Sequence, residues 1–189
     1  QREAHTHTHT YTHTHARTQT GTHTQTGTDR QRCTHVHAYT HAHTLSCLVR
    51  TWGCGWFGVL GHGSSDNVEV PRVIESLAME RIICVATGYA FSMVLTAEGD
   101  LFSFGRNHRG QCGLGHRNDI QNPSHVAIDG VVTTVCAGAY HAAAITGEGS
   151  LLTWGDGSDY QLGHGDKSMS HLPTAVASTA LVAKQIAAG

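Results

Sequence analysis

The sequence predicts an all-β chain assembled from repeated units, and three observations carry that prediction. WGCGWFGVLGHG (52–63), FGRNHRGQCGLG (104–115) and WGDGSDYQLGHG (154–165) are three versions of one segment. Aligned on Trp52, Phe104 and Trp154, the copies keep a glycine eleven residues on (Gly63, Gly115, Gly165) and a proline nineteen residues on (Pro71, Pro123, Pro173), a period of 50 to 52 residues. Self-similarity at such a period marks propellers, solenoids and arrays. Finally, short apolar runs within a copy are separated by glycine-bearing turns, and no stretch shows the long period of a capped helix.

The elements follow in order. Strands are expected at 71–74, 82–86, 91–95, 101–104, 125–128, 131–137, 141–145, 151–154 and 174–177, where short β-branched, aromatic or other apolar runs occur. The pairs 91–95/101–104 and 141–145/151–154 flank turns through Gly99 and Gly149, so each pair reads as a hairpin. Gly53, Gly105 and Gly155 follow the last aromatic of a strand, where the chain must turn sharply. Gly61/Gly63, Gly113/Gly115 and Gly163/Gly165 fall in a loop where backbone segments approach closely. A phosphate cradle is the other use of such glycines, but no GxxxxGK[ST] is present and no long helix opens after the loop.

These residues resemble the repeat of the regulator of chromosome condensation family. The resemblance is carried by Gly88, Ser92, Leu95, Thr96, Gly99, Leu101, Phe104, Gly105, Asn107, Gly110, Gln111, Gly113, Gly115, Pro123 and Gly138, and again by His141, Gly149, Leu151, Trp154, Gly155, Gln161, Leu162, Gly163, Gly165 and Pro173. Phe104 in place of tryptophan, Cys112 in place of leucine and Tyr160 in place of glycine depart from the pattern. The resemblance implies a partial β-propeller of four-stranded antiparallel blades, a fragment of a seven-bladed ring. On this basis 48–189 divides into 48–88 (partial), 89–138 and 139–189. A propeller protects its sheet edges by repetition and closure, so a piece of one is expected to leave apolar faces uncovered on its outer blades. The remaining blades, or self-association, are expected to cover them. The start at Gln1, a first methionine at Met79 and the stop at Gly189 suggest a piece of a longer product or an incomplete gene model.

Residues 1–47 are a different material. HTHTHTYTHTH (5–15) is followed by more threonine and histidine, and ten of the 17 histidines precede residue 50. With almost no large apolar residue before Leu45, the stretch cannot offset its ordering entropy and is expected to be a disordered low-complexity tail. His5, His7 and His9 would share one side of an extended chain and bind a metal weakly. A CA dinucleotide tract encodes the same alternation, so a translated microsatellite is the stronger reading.

Composition excludes several functions. Residues 51–189 carry 7 Lys+Arg against 12 Asp+Glu, a poor balance for direct nucleic-acid binding, which needs clustered cations. No two of Cys33, Cys47, Cys54, Cys84, Cys112 and Cys136 form a CxxC pair, so a zinc ribbon is not expected; buried free thiols in a reducing, intracellular setting (cytoplasmic or nuclear) are. No apolar run is long enough to span a membrane.

Individual residues that invite chemistry resolve into framework. His62 and His164 align with Leu114, and His116 with Ser64, so the three are not a repeated ligand set and are read as loop or surface histidines. Asp156, Asp159 and Asp166 lack the order of a calcium loop and read as a solvated turn. His141 aligns with Phe91, a position that wants a ring. A plant branch of the family senses ultraviolet light through clustered tryptophans, but of Trp52, Trp56 and Trp154 two are repeat framework. No catalytic, cofactor or metal residue is assigned. The resemblance implies a protein-interaction or scaffold propeller; guanine-nucleotide exchange on a Ran-type small GTPase is the alternative it offers, and a ubiquitin-ligase propeller falls within the first.

Overall fold

The run FSMVLT (91–96) holds only apolar and hydroxyl side chains, the pattern of a strand covered on both faces. In the computed structural model, which describes residues 36–38, 48–177 and 183–188, all six of these residues are buried in one strand. It is one of eleven among the described residues: β1 (Val36–Ala38), β2 (Val49–Gly53), β3 (Val68–Val73), β4 (Ile82–Thr87), β5 (Phe91–Thr96), β6 (Leu101–Gly105), β7 (Ile120–Val126), β8 (Val132–Ala137), β9 (His141–Thr146), β10 (Leu151–Gly155) and β11 (Ser170–Ala175). Among the described residues helix is confined to two three-residue 3₁₀ turns, Trp56–Gly58 and Glu75–Leu77.

The strands form two four-stranded antiparallel sheets, β4-β5-β6-β7 and β8-β9-β10-β11, and a third of three strands, β1-β2-β3. Each four-stranded sheet is a meander, the form of a propeller blade. The sheets are out of phase with the sequence copies: β4 precedes Gly88, yet it pairs with β5 beyond it. A sheet therefore takes its first strand from one copy and the other three from the next, which links neighbouring blades covalently. β1 lies within the stretch expected to be disordered; the rest of 1–47 is outside the described residues.

The fourth strand of each blade begins earlier than the sequence reading placed it. The periodic prolines suggested strands starting at or after Pro71, Pro123 and Pro173, but β3, β7 and β11 run through them. The register explains the tolerance. Ser103 pairs with Ser124 and Gly105 with Ile120, so three residues including Pro123 bulge opposite Phe104, and the same irregularity recurs in β3 and β11. Proline has no N–H to give a ladder, so an outer strand with a bulge is where it fits.

Packing between sheets makes the core. Met93, Leu95 and Leu101 of the β4–β7 sheet pack with Val132, Val135, Ala142, Ala144 and Trp154 of the β8–β11 sheet. The opposite face of the β4–β7 sheet places Val94 and Phe104 against Val49, Ile74 and Leu77. Full burial of such side chains contributes about 1.5–3 kcal/mol each, so the central sheet is held from both sides. The far face of the β8–β11 sheet is less bare than expected: Ile145 is 2% exposed. At its β9–β10 turn Ala183 N–H donates to the Gly149 carbonyl (3.1 Å), as Val132 N–H does to Gly99 (3.2 Å) one blade earlier. Residues 183–188 thus enter where the first strand of another blade would begin.

Candidate interaction face

The repeated glycine-rich segments become the long loops between the third and fourth strands, 54–67, 106–119 and 156–169. All three leave the same end of the sheets. Gly105 pairs with Phe91 and Gly155 with His141, so the loops lie beside the tight turns at Tyr89 and Tyr140, whose rings stand 5.5 Å apart.

The middle loop shows how the backbone is held. Asn107, fully buried, accepts from Cys112 N–H at 2.9 Å and donates to the His116 carbonyl at 2.9 Å, while its own N–H donates to Asp119 at 2.9 Å. The first loop reproduces the last bond, Gly55 N–H to Asn67 at 3.1 Å. Below each loop a buried hydroxyl donates to a loop carbonyl: Thr51 to Leu60 (2.6 Å), Ser103 to Cys112 (2.7 Å) and Thr153 to Leu162 (2.6 Å). Glycine is required where loops meet the next blade. A Cβ on Gly113 would stand 2.8 Å from the Trp154 indole, and Gly113 has φ +72.

On loops closed by the same turns the side chains differ from blade to blade. Trp56, His108 and Ser158 hold one position and Phe57, Arg109 and Asp159 the next. Trp56 is 40% exposed. The Arg106 guanidinium lies over the Phe57 ring at 4.9 Å, and Phe57 meets His108 edge-on at 6.1 Å. Arg117 donates from Nε to the His108 carbonyl at 2.7 Å. Arg109 reaches across to Asp156 at 3.4 Å. In the third loop Lys167 sits 5.0 Å from the Tyr160 ring. The opposite end is unlike this one. Its turns carry Glu75, Glu80, Glu98, Asp100, Asp129 and Glu148, and Arg81 there is paired to Glu98 at 3.6 Å.

Matches to the regulator of chromosome condensation (RCC1) repeat cover residues 49–95, 98–145 and 148–189. The chain belongs to the RCC1 repeat family. Among relatives, the ultraviolet-B receptor UVR8 of Arabidopsis thaliana is 41% identical over 133 residues, covering 69% of this chain and 30% of the receptor. The human E3 ubiquitin-protein ligase HERC2 is 34% identical over 131 residues, 68% of this chain and 3% of the ligase. The crystal structure of human WBSCR16 superposes with a TM-score of 0.67 at 25% identity, over 75% of this chain and 38% of that one. This chain therefore spans less than a third of these two relatives.

Within this RCC1-type arc, the residues singled out from sequence fall as follows. His62 and His164 are not free surface groups. Thr51 gives its one hydroxyl proton to Leu60, so His62 Nε2, at 2.9 Å from that hydroxyl, must be the donor; His164 does the same to Thr153 at 2.9 Å. Burial holds the His62 pKa below its usual value, with Arg72 adding to the effect and the Thr51 contact and Glu75 opposing it. His141 is half-buried and its pKa is also lowered, by burial, against the opposing pull of Asp156. Asp156 is not part of a solvated turn: it is 6% exposed and accepts from Ser158 N–H at 3.3 Å as well as from Arg109. Among the described residues no group of three or more His, Cys, Asp or Glu is placed to hold a metal ion. Cys54, Cys84, Cys112 and Cys136 are free. No helix among them is long and apolar enough to cross a membrane. His5, His7, His9, Cys33 and Cys47 lie outside the described residues. The Arg106–Phe57 contact was not visible in sequence, because the two residues stand 49 positions apart in different copies.

Proposed function

We propose that this chain supplies a protein-interaction module of the RCC1 propeller type to a larger intracellular protein, and that it meets its partner with the loop end. One observation carries the proposal. Loops on three successive blades are closed by the same two turns, Gly58, Gly110 and Tyr160 N–H and then Gly61, Gly113 and Gly163 N–H each donating to the carbonyl three residues back, but present Trp56, His108 and Ser158, then Phe57, Arg109 and Asp159. Variation in exposed side chains on a constant frame suits recognition, since binding groups sit well on loops positioned by a rigid scaffold. Tryptophan, tyrosine and arginine are also the side chains that dominate binding energy at protein interfaces. The paired ends of the sheets differ enough to make the choice of end meaningful.

Nucleotide exchange on a Ran-type GTPase has less support. The two relatives reported above are named for light reception and ubiquitin ligation, and no feature of the loop end singles out a GTPase. No catalytic group is proposed. A photo-crosslinking amino acid in place of Trp56, and separately in place of Glu98, tests the choice of end in cells. Partner adducts from position 56 and none from position 98 are expected; adducts from 98 alone would refute it.

A further inference from the structure

The loop end contains two guanidinium groups without a carboxylate. Of the arginines there, Arg109 is paired with Asp156, whereas Arg106 and Arg117 have no acidic partner among the described residues. Both are nevertheless held in place. Arg106 is half-buried and lies over Phe57, and Arg117 is anchored through Nε to the His108 carbonyl. An anchored planar fork loses less freedom on binding than a free one and matches a carboxylate bidentately. His108 completes the link, since its ring meets Phe57 and its Nε2 stands 3.4 Å from Asp119.

Two further features lie at the same place. Trp56, next to Phe57 in the chain, is 40% exposed and offers an apolar surface on the same loop. Phe57 itself has φ +62, a left-handed conformation that L-residues rarely adopt and that concentrates where ligands are clamped. The next loop limits what can bind. Beyond the paired Asp156 it carries Asp159 and Asp166 against Lys167, so a long polyanion running round the arc would meet repulsion one blade on.

Taking the loop end as the interaction face, as proposed above, we infer that Arg106, Arg117 and Trp56 dock a short acidic segment of a protein partner, a carboxylate flanked by an apolar side chain. The forks take the carboxylate, the indole takes the apolar neighbour, and the acidic loop confines the footprint to the first two blades.

The test uses the full chain and a fluorescein-labelled peptide of glutamates around a central leucine, read by anisotropy. Controls are the same peptide with lysine for glutamate and a labelled thymidine oligonucleotide. The acidic peptide is expected to bind, and the lysine peptide and oligonucleotide to bind more weakly. Arg106→Gln with Arg117→Gln should weaken binding about tenfold, as two partly exposed charges each contribute modestly. Arg106→Lys, which keeps the charge but loses the stacked fork, should fall between, and Arg81→Gln at the other end should change nothing. Circular dichroism confirms that each variant is folded. Equal affinity in the double variant, no binding of the acidic peptide, or tighter binding of the oligonucleotide overturns the inference. If crosslinks from position 56 persist in that case, only the acidic partner is wrong; if they are absent too, the loop end is not the interaction face.

Discussion

Trp154 donates its indole N–H to the carbonyl oxygen of Gln111 at 2.9 Å, across the boundary between the two four-stranded sheets. At the preceding boundary Phe104 stands in the tryptophan position and has no N–H to give. There Ser92, directly opposite Phe104 in the sheet, donates its hydroxyl to the Val59 carbonyl at 3.1 Å. Val59 and Gln111 occupy the same place in their copies, and the residue opposite Trp154 is Ala142. Phenylalanine with serine and tryptophan with alanine are two solutions to one problem, a buried carbonyl that needs a donor.

The equivalence is testable by exchange. Trp154→Phe leaves the Gln111 carbonyl without its donor and is expected to cost about 1–3 kcal/mol. Ala142→Ser added to that variant should recover part of the loss, by copying the Phe104–Ser92 arrangement. Urea denaturation midpoints measure both. No recovery from the added serine would mean that the two boundaries are not interchangeable.

The glycine position replaced by Tyr160 gives an asymmetric prediction. Gly110 has φ +74, and a Cβ there would stand 2.9 Å from the His171 Cα. Tyr160 has φ +62 but is 57% exposed. Gly110→Ala therefore meets both backbone strain and the neighbouring strand, and should destabilise by about 2 kcal/mol or more. Tyr160→Gly should stay within about 1 kcal/mol of the parent, because relief of strain is offset by greater freedom in the unfolded chain. Thermal melts of the two variants decide; equal losses would show that the φ and the contact do not set the requirement.

Acid should weaken the fold through its half-buried histidines. The His62 and His141 pKa values are lowered from 6.5, each chiefly by burial. Below about pH 6.5 the unfolded chain takes up these protons more readily than the folded one, so stability present above that pH is lost as pH falls through it. His141→Phe, which restores the ring found at Phe91, should raise stability at about pH 5.5 more than at about pH 7.5. A shift in melting temperature independent of pH would exclude this role for His141.

The thiol of Cys112 should be silent. Burial pushes its pKa up to about 12, with Asp119 adding to the effect and the Ser103 contact opposing it. Thiolate is the reactive form, so Cys112 should escape an aromatic disulfide reagent until denaturant is added. Peptide mapping after a short native labelling pulse would show modification at Cys112 if the loop opens freely.

Much of the architecture was legible because each copy solves the same packing problem with the same residues. The hairpin around Gly99 pairs where the two apolar runs placed it, whereas the close approach expected at Gly61 and Gly113 is to the Phe104 and Trp154 rings of the next blade rather than to backbone. The fourth strands were misplaced because proline reads as a local breaker, and only an edge strand with a bulge makes it acceptable. His62 reads as a loop or surface histidine because its partner, Thr51, is eleven residues away and carries no sign that its proton is already committed to Leu60.

The sequence by itself determined the family, the strand alternation and the positions where glycine must stand, since these depend on local conformation repeated at a fixed interval. Tertiary structure alone decided which copies meet. It placed Arg106 over Phe57, gave the Val59 carbonyl to Ser92 and paired the buried carboxylate of Asp156 with the half-exposed Arg109. Those contacts join residues from different copies, and a period in one dimension does not say which side chains face each other once the sheets are stacked.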